Sequence, residues 1–293
     1  MVEFEVPEVD YTQYSNRQLV AIPLAVLGVA LLVLAGWYVI TGSPIALGVD
    51  FTGGSEITVE TTLSQSEVRD TFDASVVSVQ GVQGGNSGSG AQQYVVTFDQ
   101  SANLTEISQT AEANGDMTLL RSGATSAVFG AESQRFAIYG LGIAFLGMSL
   151  LAFALFRTFV PSIAIVISAF SDIVIPLAIM NIVGIKLSLG TVAALLMLIG
   201  YSVDSDILLN NHVLRRSGGF YESTYRAMRT GVTMTLTSIS AMAVMAVTAT
   251  LFGIDLMASI GIVLVLGLTA DLMNTYMLNV TLLRWYKYEV VNR

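Results

Sequence analysis

Residues 200–206, GYSVDSD, place two carboxylates, Asp204 and Asp206, in the middle of an otherwise apolar stretch. An ionised side chain at the centre of a membrane helix costs about 2.5–3.5 kcal/mol on insertion scales, and such side chains usually pair, line a polar cavity or carry protons. The stretch therefore predicts a membrane-spanning helix whose carboxylates have a function.

The composition of the whole chain agrees with a membrane location. Hydrophobic residues make up 53% of the 293 residues and charged residues only 12%, and the mean hydropathy is +0.68. A hydrocarbon core about 30 Å thick requires about 20 apolar residues for each helical crossing. Six stretches reach that length, one near the N-terminus and five after a polar segment: 19–40, 136–156, 162–183, 188–211, 232–252 and 256–283.

The basic residues predict the orientation in the plasma membrane, because Lys and Arg accumulate in short cytoplasmic loops. Six crossings place nine of them on one side: Arg17, Arg157, Arg215, Arg216, Arg226, Arg229, Arg284, Lys287 and Arg293. Both termini are then cytoplasmic. The predicted division of the chain is a cytoplasmic segment 1–18, a first span 19–40 acting as an uncleaved anchor, an extracytoplasmic domain 41–135, a five-helix bundle 136–285 and a cytoplasmic tail 286–293.

The polar segment alternates between strand and helix periodicity. Strands are predicted at 56–62, 75–80, 93–98 and 116–120, and helices at 64–73 and 104–113, with Ser64 or Ser66 as the first N-cap. The Gly/Ser-rich stretch 81–90 predicts a flexible loop. Two strand-helix-strand units predict a ferredoxin-like α+β domain, which must fold without disulfides because the chain has no cysteine.

Charge and motif content exclude several classes of function. The net charge is −9, and two lysines stand beside eleven arginines, a balance that resembles proteins of salt-loving archaea and disfavours nucleic-acid binding. No nucleotide-binding loop, metal-ligand cluster or nucleophile-and-base arrangement is present in the sequence. We therefore predict a protein that is not an enzyme and that uses no cofactor and no metal.

A glycine-rich turn follows the first span at GVDFTGG, residues 48–54. Its Asp-Phe-x-Gly-Gly pattern resembles the signature of the SecD and SecF protein-export membrane proteins of the resistance-nodulation-division superfamily. The matching residues are Asp50, Phe51, Gly53 and Gly54.

The resemblance recurs downstream and covers nearly the whole chain. It includes SDIVI at 171–175, LSLGTVAALL at 187–196 and the triplet Gly200, Tyr201 and Ser202. Arg229 and the threonines after it look like the family's entry to the fifth span. In the sixth span, Asp271, Asn274 and Asn279 lie in a run similar to the archaeal branch of SecF.

The chain departs from the bacterial SecF pattern at one position. After Gly-Tyr-Ser and an aliphatic residue, bacterial chains commonly have Asn-Asp, whereas this chain has Asp204 and Ser205. The carboxylate that the resemblance associates with proton relay is therefore not at the same position here.

Helical geometry groups the intramembrane polar residues. At 100° per residue, Asp206 shares a face with Ser202 and Asn210, whereas Asp204 points about 160° away. Counting 1.5 Å per residue places Asp172 and Asp271 near the middle of the bilayer and predicts a polar seam between spans three, four and six. The candidate ion or proton relay is Asp204 and Asp206, with Asp172, Asp271 and Arg229 as neighbours.

The alternative for these residues is structural. Polar side chains in a membrane bundle can simply hold helices together, at about 0.6 kcal/mol each. A buried carboxyl can also be a hydrogen-bonded packing group.

The resemblance implies an accessory subunit of the Sec protein translocation machinery. It would act with a six-span SecD-like partner at a SecY-type channel, engage preproteins through its outer domain, and use an ion gradient through its carboxylates. Two alternatives remain open: a small-molecule or lipid exporter subunit of the resistance-nodulation-division type, and a purely structural subunit that stabilises its partner.

Overall fold

The computed structural model describes residues 11–72, 76–82, 91–215 and 219–291. Six helices in this part of the chain are long and apolar enough to span a membrane, which confirms the predicted arrangement of one helix, a domain and five more helices. They are α1 (Asn16–Thr41), α5 (Ala127–Phe156), α6 (Phe159–Val183), α7 (Leu189–Arg215), α8 (Phe220–Leu251) and a last span over Asp255–Glu289.

The polar segment forms a small α+β domain between α1 and α5. A short helix α2 (Val49–Thr52) leads into β1 (Gly54–Thr61), α3 (Gln65–Thr71), β2 (Val76–Val82), β3 (Gln92–Phe98), α4 (Leu104–Ala113) and β4 (Met117–Thr125). The four strands form one antiparallel sheet in the order β2-β3-β1-β4. This is the order of a ferredoxin-like sheet, so the predicted fold class is confirmed.

The core of this domain lies between the sheet and the helices α3 and α4. Ile57, Val59 and Val96 on the strands are fully buried and pack with Val68 of α3 and Ile107 of α4. Helix α3 begins as predicted, because the Ser64 side chain caps it in a reciprocal capping box with Glu67.

The predicted Gly/Ser-rich loop 81–90 is shorter at its start than expected. Gly81 and Val82 continue β2, in register with Tyr94 and Gln93 of β3. Residues 83–90 lie outside the described residues, as do Arg216 and Arg293.

The other face of the sheet lies over one end of the helical bundle. A cavity of about 760 Å³ separates them, lined by strand residues such as Glu56 and Arg121 and by bundle residues such as Lys186 and Asp255. The domain is therefore seated on the bundle through a partly polar contact.

Helices α6 and α7 form the centre of the bundle. Of the most apolar 18 residues of each helix, 61% are buried in α6 and 56% in α7, compared with 11% in α5. Helices α1, α5 and α8 lie outside and expose apolar side chains such as Leu32, Leu150 and Val247. Only a centre shielded in this way can hold polar side chains away from lipid.

The sequence had suggested one regular helix for the last span, but the structure shows an irregular one. Helix α9 (Asp255–Met273) passes into a π-helical segment (Asn274–Asn279), then into α10 (Val280–Trp285) and a second π-helical stretch (Tyr286–Val291). Single π turns inside α-helices frequently occur at functional sites. The segment Asn274–Asn279 is called the π segment below.

The N-terminal residues are fastened to the end of the last span. The Arg284 guanidinium donates hydrogen bonds to the Tyr11 and Tyr14 carbonyls, at 2.8 and 3.1 Å, and to the Asn16 side chain. The Tyr11 hydroxyl donates to the Tyr276 carbonyl at 3.0 Å. Burial raises the pKa of Tyr11 to about 12, so this hydroxyl keeps its proton.

Candidate functional site

Three carboxylates meet in the centre of the bundle. Asp172 on α6, Asp206 on α7 and Asp271 on α9 are each no more than 1% exposed. We call these three residues the carboxylate cluster. It lies where the predicted polar seam between spans three, four and six was expected.

Asp172 connects α6 to both neighbouring spans. Its Oδ2 accepts a hydrogen bond from the Ser202 hydroxyl of α7 at 2.6 Å, and its Oδ1 accepts one from the Asn274 amide at 2.6 Å. Hydrogen bonds of this length to a carboxylate oxygen are strong and directional. The side chain therefore fixes the relative position of three helices.

Asp271 is connected to α7 through a serine. The Ser205 hydroxyl lies 3.0 Å from both Asp271 oxygens and 2.9 Å from the Ser202 carbonyl. Because a hydroxyl has one proton, it can donate to only one of these acceptors at a time. Ser205, at the position where bacterial chains commonly have Asp, thus contacts a carboxylate in place of supplying one.

Asp206 is bound from one side only. Its Oδ1 accepts from the Thr275 hydroxyl at 2.9 Å and from the Asn279 amide at 2.8 Å, whereas its Oδ2 has no hydrogen-bond partner among the described residues. Thr275 also lies 3.3 Å from Asp271 Oδ1, so one hydroxyl is shared between two carboxyl groups. The hydrogen bond of Thr275 can therefore pass from one carboxylate to the other.

In the described part of the chain, the surroundings of the cluster are rich in acceptors and contain no ionised donor. The Oδ1 atoms of Asn210, Asn274 and Asn279 are buried there without a hydrogen-bond partner. No described Lys or Arg forms an ion pair with any of the three carboxylates. Buried charges need a compensating charge or hydrogen bond, so such a site favours the binding of a proton.

Among the described residues, no group of three or more His, Cys, Asp or Glu side chains, the carboxylate cluster included, is arranged so that it could hold a metal ion. The His212 ring is close to its own helix instead, with Nδ1 at 2.9 Å from the Leu208 carbonyl.

The π segment supplies three donors of the site, beside the two serines of α7. Asn274 reaches Asp172, while Thr275 and Asn279 both reach Asp206. A π turn has i→i+5 hydrogen bonds and is wider than an α turn, which changes the directions in which successive side chains point. The irregular part of the last span therefore contacts both Asp172 and Asp206.

Asp204 and Arg229, which the sequence analysis grouped with these residues, do not join the cluster. Both are exposed on the outside of the bundle, on α7 and α8 respectively. Tyr201 and Gly200 share the exposed face of α7, and the opposite direction of Asp204 and Asp206 follows the helical geometry. A role for Asp204 and Arg229 in relay stays a prediction.

Comparison with known proteins identifies the family. The family model described as protein export membrane protein SecD/SecF, C-terminal, matches residues 105–289. A SecF protein-export membrane protein from Haloferax volcanii is 67% identical over 294 residues, covering 100% of both chains. One from Haloquadratum walsbyi is 61% identical over 298 residues, also covering 100% of both. This chain belongs to the SecF family.

A second SecF-family feature is the glycine motif, since the SecD/SecF GG motif model matches residues 38–62. In the structure, Phe51 is 3% exposed, and Gly53 and Gly54 have φ of 73° and 114°. These angles favour glycine because it has no Cβ. A Cβ on Gly53 would lie 2.8 Å from Ala127 Cα, so the motif also permits a close approach of the chain to α5.

The SecF fold is also present in a solved structure. The crystal structure of SecDF, a translocon-associated membrane protein from Thermus thermophilus, matches with a TM-score of 0.72 and 19% identity. The match covers 98% of this chain and 39% of that chain. At this identity the likeness shows the fold.

Sequence reasoning missed Thr275 and the bridging part of Ser205 in this SecF-family site. One signal could have found Thr275: Asp271, Thr275 and Asn279 are spaced four residues apart and so share one helix face. The proximity of Asp172 to Asn274 has no such local signal, because the two residues are 102 positions apart.

Proposed function

We propose that this SecF-family chain is an accessory subunit of the Sec protein translocation machinery. It acts with a six-span SecD-like partner at a SecY-type channel and promotes export of preproteins across the plasma membrane. Family membership supports the general role. The observation that supports an active role over a purely structural one is the buried carboxylate cluster.

In this proposal the cluster couples export to an ion gradient. The three carboxylates hold α6, α7 and the last span together through hydrogen bonds from Ser202, Ser205 and Thr275. Binding or release of a proton or another small cation changes which of these bonds form. Two packings that differ by a few kcal/mol can be switched by such a local change.

The exposed polar face of α7 and α8 supports a membrane partner. Asp204 on α7 and Arg229 on α8 are both exposed, and one side of α8 also exposes Thr233, Thr237 and Ser240. Carboxylates inside a membrane rarely face lipid. A six-span partner that packs on this face covers these side chains and brings Asp204 and Arg229 into a protein interior.

The topology is part of the proposal. Both termini are cytoplasmic, the domain 41–135 is extracytoplasmic and meets emerging preproteins, and the chain performs no catalysis. The chain has no cysteine, so single cysteines report on the topology. A cysteine replacing Glu112 reacts with an impermeant thiol reagent in intact cells, and one replacing Glu289 does not.

The deciding experiment follows secretory precursors by pulse labelling in cells whose only copy is wild type, deleted, Asp206→Asn or Asp271→Asn. Glu112→Gln, an exposed carboxylate on α4, is the matched control. Slow export in the deletion and in both cluster variants, at normal protein levels, with a normal control, supports the proposal. A defect on deletion alone favours the structural subunit. Normal export in all strains favours the small-molecule or lipid exporter.

A further inference from the structure

The linker between α1 and β1, residues 42–53, runs alongside the turn between α6 and α7, residues 184–188. Leu187 N–H donates to the Ala46 carbonyl at 2.7 Å, and Gly48 N–H donates to the Leu187 carbonyl at 2.8 Å. These two hydrogen bonds form a short parallel β-bridge between Leu47 and Leu187. The linker is therefore bonded backbone to backbone to a turn of the central helices.

Asn181 adds a second attachment from α6. Its Oδ1 accepts from Ala46 N–H at 3.0 Å, and its Nδ2 donates to the Pro44 carbonyl at 2.9 Å. The side chain is 4% exposed. A buried amide side chain can donate and accept at the same time. Asn181 therefore holds the backbone of the linker through two hydrogen bonds, as a neighbouring β-strand does.

Asp50 adds an attachment to α7. Its Oδ2 accepts from the N–H of Leu189, the first residue of that helix, at 3.1 Å. A carboxylate at a helix N-terminus is favoured both by the unpaired N–H groups and by the helix dipole. Asp50, a residue of the glycine motif, thus holds the linker to the start of α7.

The same turn also touches the sheet. The Lys186 ammonium donates to Thr97 Oγ1 at 2.7 Å and to Ser78 Oγ at 3.2 Å. On the linker side, Gly54 begins β1 so close to β3 that a Cβ there would lie 2.5 Å from the Phe98 carbonyl oxygen. The linker and the turn therefore reach the domain by two routes.

Helices α6 and α7 carry these attachments at one end and the carboxylate cluster further along. Asp172 lies nine residues before Asn181, which is about 14 Å along the axis, and Ser202 lies thirteen residues after Leu189, about 20 Å. The hydrogen bond between Asp172 and Ser202 joins the two helices at that level. The two helices that the cluster joins are thus the two helices whose ends hold the linker.

We propose that Asn181 and Asp50 are positioning residues that transmit changes at the carboxylate cluster to the outer domain, by clamping the linker to the ends of α6 and α7. This inference rests on the proposed ion coupling and deepens it. The clamp makes the domain move with the two central helices, so that a change of packing at the cluster becomes a displacement of the sheet.

The test measures the distance between the domain and the bundle by electron paramagnetic resonance. In the naturally cysteine-free full chain, reconstituted with the protein that co-purifies with it, spin labels are placed at Glu112 on α4 and at Phe252 after α8, both exposed. Asp172→Asn replaces a carboxylate of the cluster by a neutral group. We expect this change to shift the distance by about 2 Å, the size of common helix shifts, and the shift to become smaller when Asn181→Leu is added.

Asn181→Leu keeps the size of the side chain and removes both bonds to the linker, and Asp50→Asn gives a second way to weaken the clamp. The matched control is Gln100→Ala, which removes one bond to the linker from the domain side, 2.9 Å from the Thr52 carbonyl. The shift should survive in this control. A shift that persists at full size in Asn181→Leu and in Asp50→Asn overturns the clamp and leaves ion coupling intact. If Asp172→Asn alone, with the clamp intact, gives no shift, both the clamp and the ion coupling are overturned. Export by the cluster variants then shows whether the general export role stands.

Discussion

The Ser202 hydroxyl on α7 donates a hydrogen bond of 2.6 Å to the Asp172 carboxylate on α6. Both side chains are buried, and the bond joins the two most enclosed helices of the bundle. Its loss leaves Asp172 with Asn274 as its remaining hydrogen-bond donor across the described helices.

Ser202→Ala is therefore expected to destabilise the protein and to impair export. A hydrogen bond to a carboxylate is worth about 1.5–3 kcal/mol, which lowers the midpoint of thermal unfolding in detergent. The matched control is Ser149→Ala on α5, whose hydroxyl bonds only to the Phe145 carbonyl of its own helix at 2.7 Å. An equal loss of stability in both variants would contradict a special role for the interhelical bond.

Asp204→Leu should weaken capture of the six-span partner while leaving the fold intact. The carboxylate is exposed on α7 and makes no contact with the cluster, so its removal does not disturb the described core. Thr269→Leu is the control, because Thr269 is an exposed polar residue on α9 that bonds only to the Val265 carbonyl. Co-purification of the partner should fall several-fold for Asp204→Leu alone. If both variants retain the partner equally, the face carrying Asp204 is not the contact surface.

Gly130→Ala should loosen the seat of the domain on α5. A Cβ at Gly130 would lie 2.9 Å from Gly53 N and 3.0 Å from the Phe51 carbonyl oxygen, and both neighbours are backbone atoms that cannot rotate away. Overpacking of this kind costs about 1–3 kcal/mol. Limited proteolysis of the linker should accelerate accordingly.

Gly140→Ala on the same helix has nothing within 4 Å and serves as the control. It should not accelerate proteolysis, because the added methyl group meets no neighbour. Alanine also favours a helix by up to about 1 kcal/mol over glycine, so α5 itself is not weakened. Faster cleavage in this variant as well would show that the effect arises from α5 itself and not from its contact with the linker.

Glu56→Gln should flatten the dependence of stability on pH. Burial raises the pKa of Glu56 above its ordinary 4.5, and the nearby Lys186 and Arg121 charges reduce that rise. The folded state therefore binds the proton more tightly than the unfolded state. Its stabilising contribution is fully present below pH 4.5 and is lost as the pH rises through the higher folded-state pKa.

The measurement is the thermal midpoint of the full chain in detergent as a function of pH. Glu56→Gln should lose less stability than wild type as the pH rises from about 4.5 towards neutrality. The exposed Glu112→Gln provides the comparison, and it should follow wild type. A parallel decline in Glu56→Gln would mean that this side chain does not carry the pH dependence.

The fold could be predicted from the sequence because its signals are local. Apolar stretches of about 20 residues identify the spans, and alternation in residues such as Ile57 and Val59 identifies the strands. Helix α4 was predicted with both ends correct, because its apolar period lies within the segment itself.

The site could be predicted only in part, because it depends on how the helices are turned against one another. The common face of Ser202, Asp206 and Asn210 follows from helical geometry, and all three are fully buried. The contact between Asp172 and Asn274 depends on packing between distant segments. The π segment has no glycine or proline that would predict it, so the sequence shows that Asp271, Thr275 and Asn279 share a helix face but not where the helix widens.

The π segment also determines the directions in which the side chains of α10 point. A wide turn accommodates one residue more than a regular helix needs, and each extra residue rotates the following chain by about 100°. Without that offset, Arg284 would point away from Asn16 and the Tyr11 carbonyl, to which it now donates. Deleting a single residue from the π segment would thus undo two things at once, the supply of donors to Asp206 and the attachment of the N-terminal residues. The attachment of one terminus and the chemistry of the membrane centre depend on the same irregular turn.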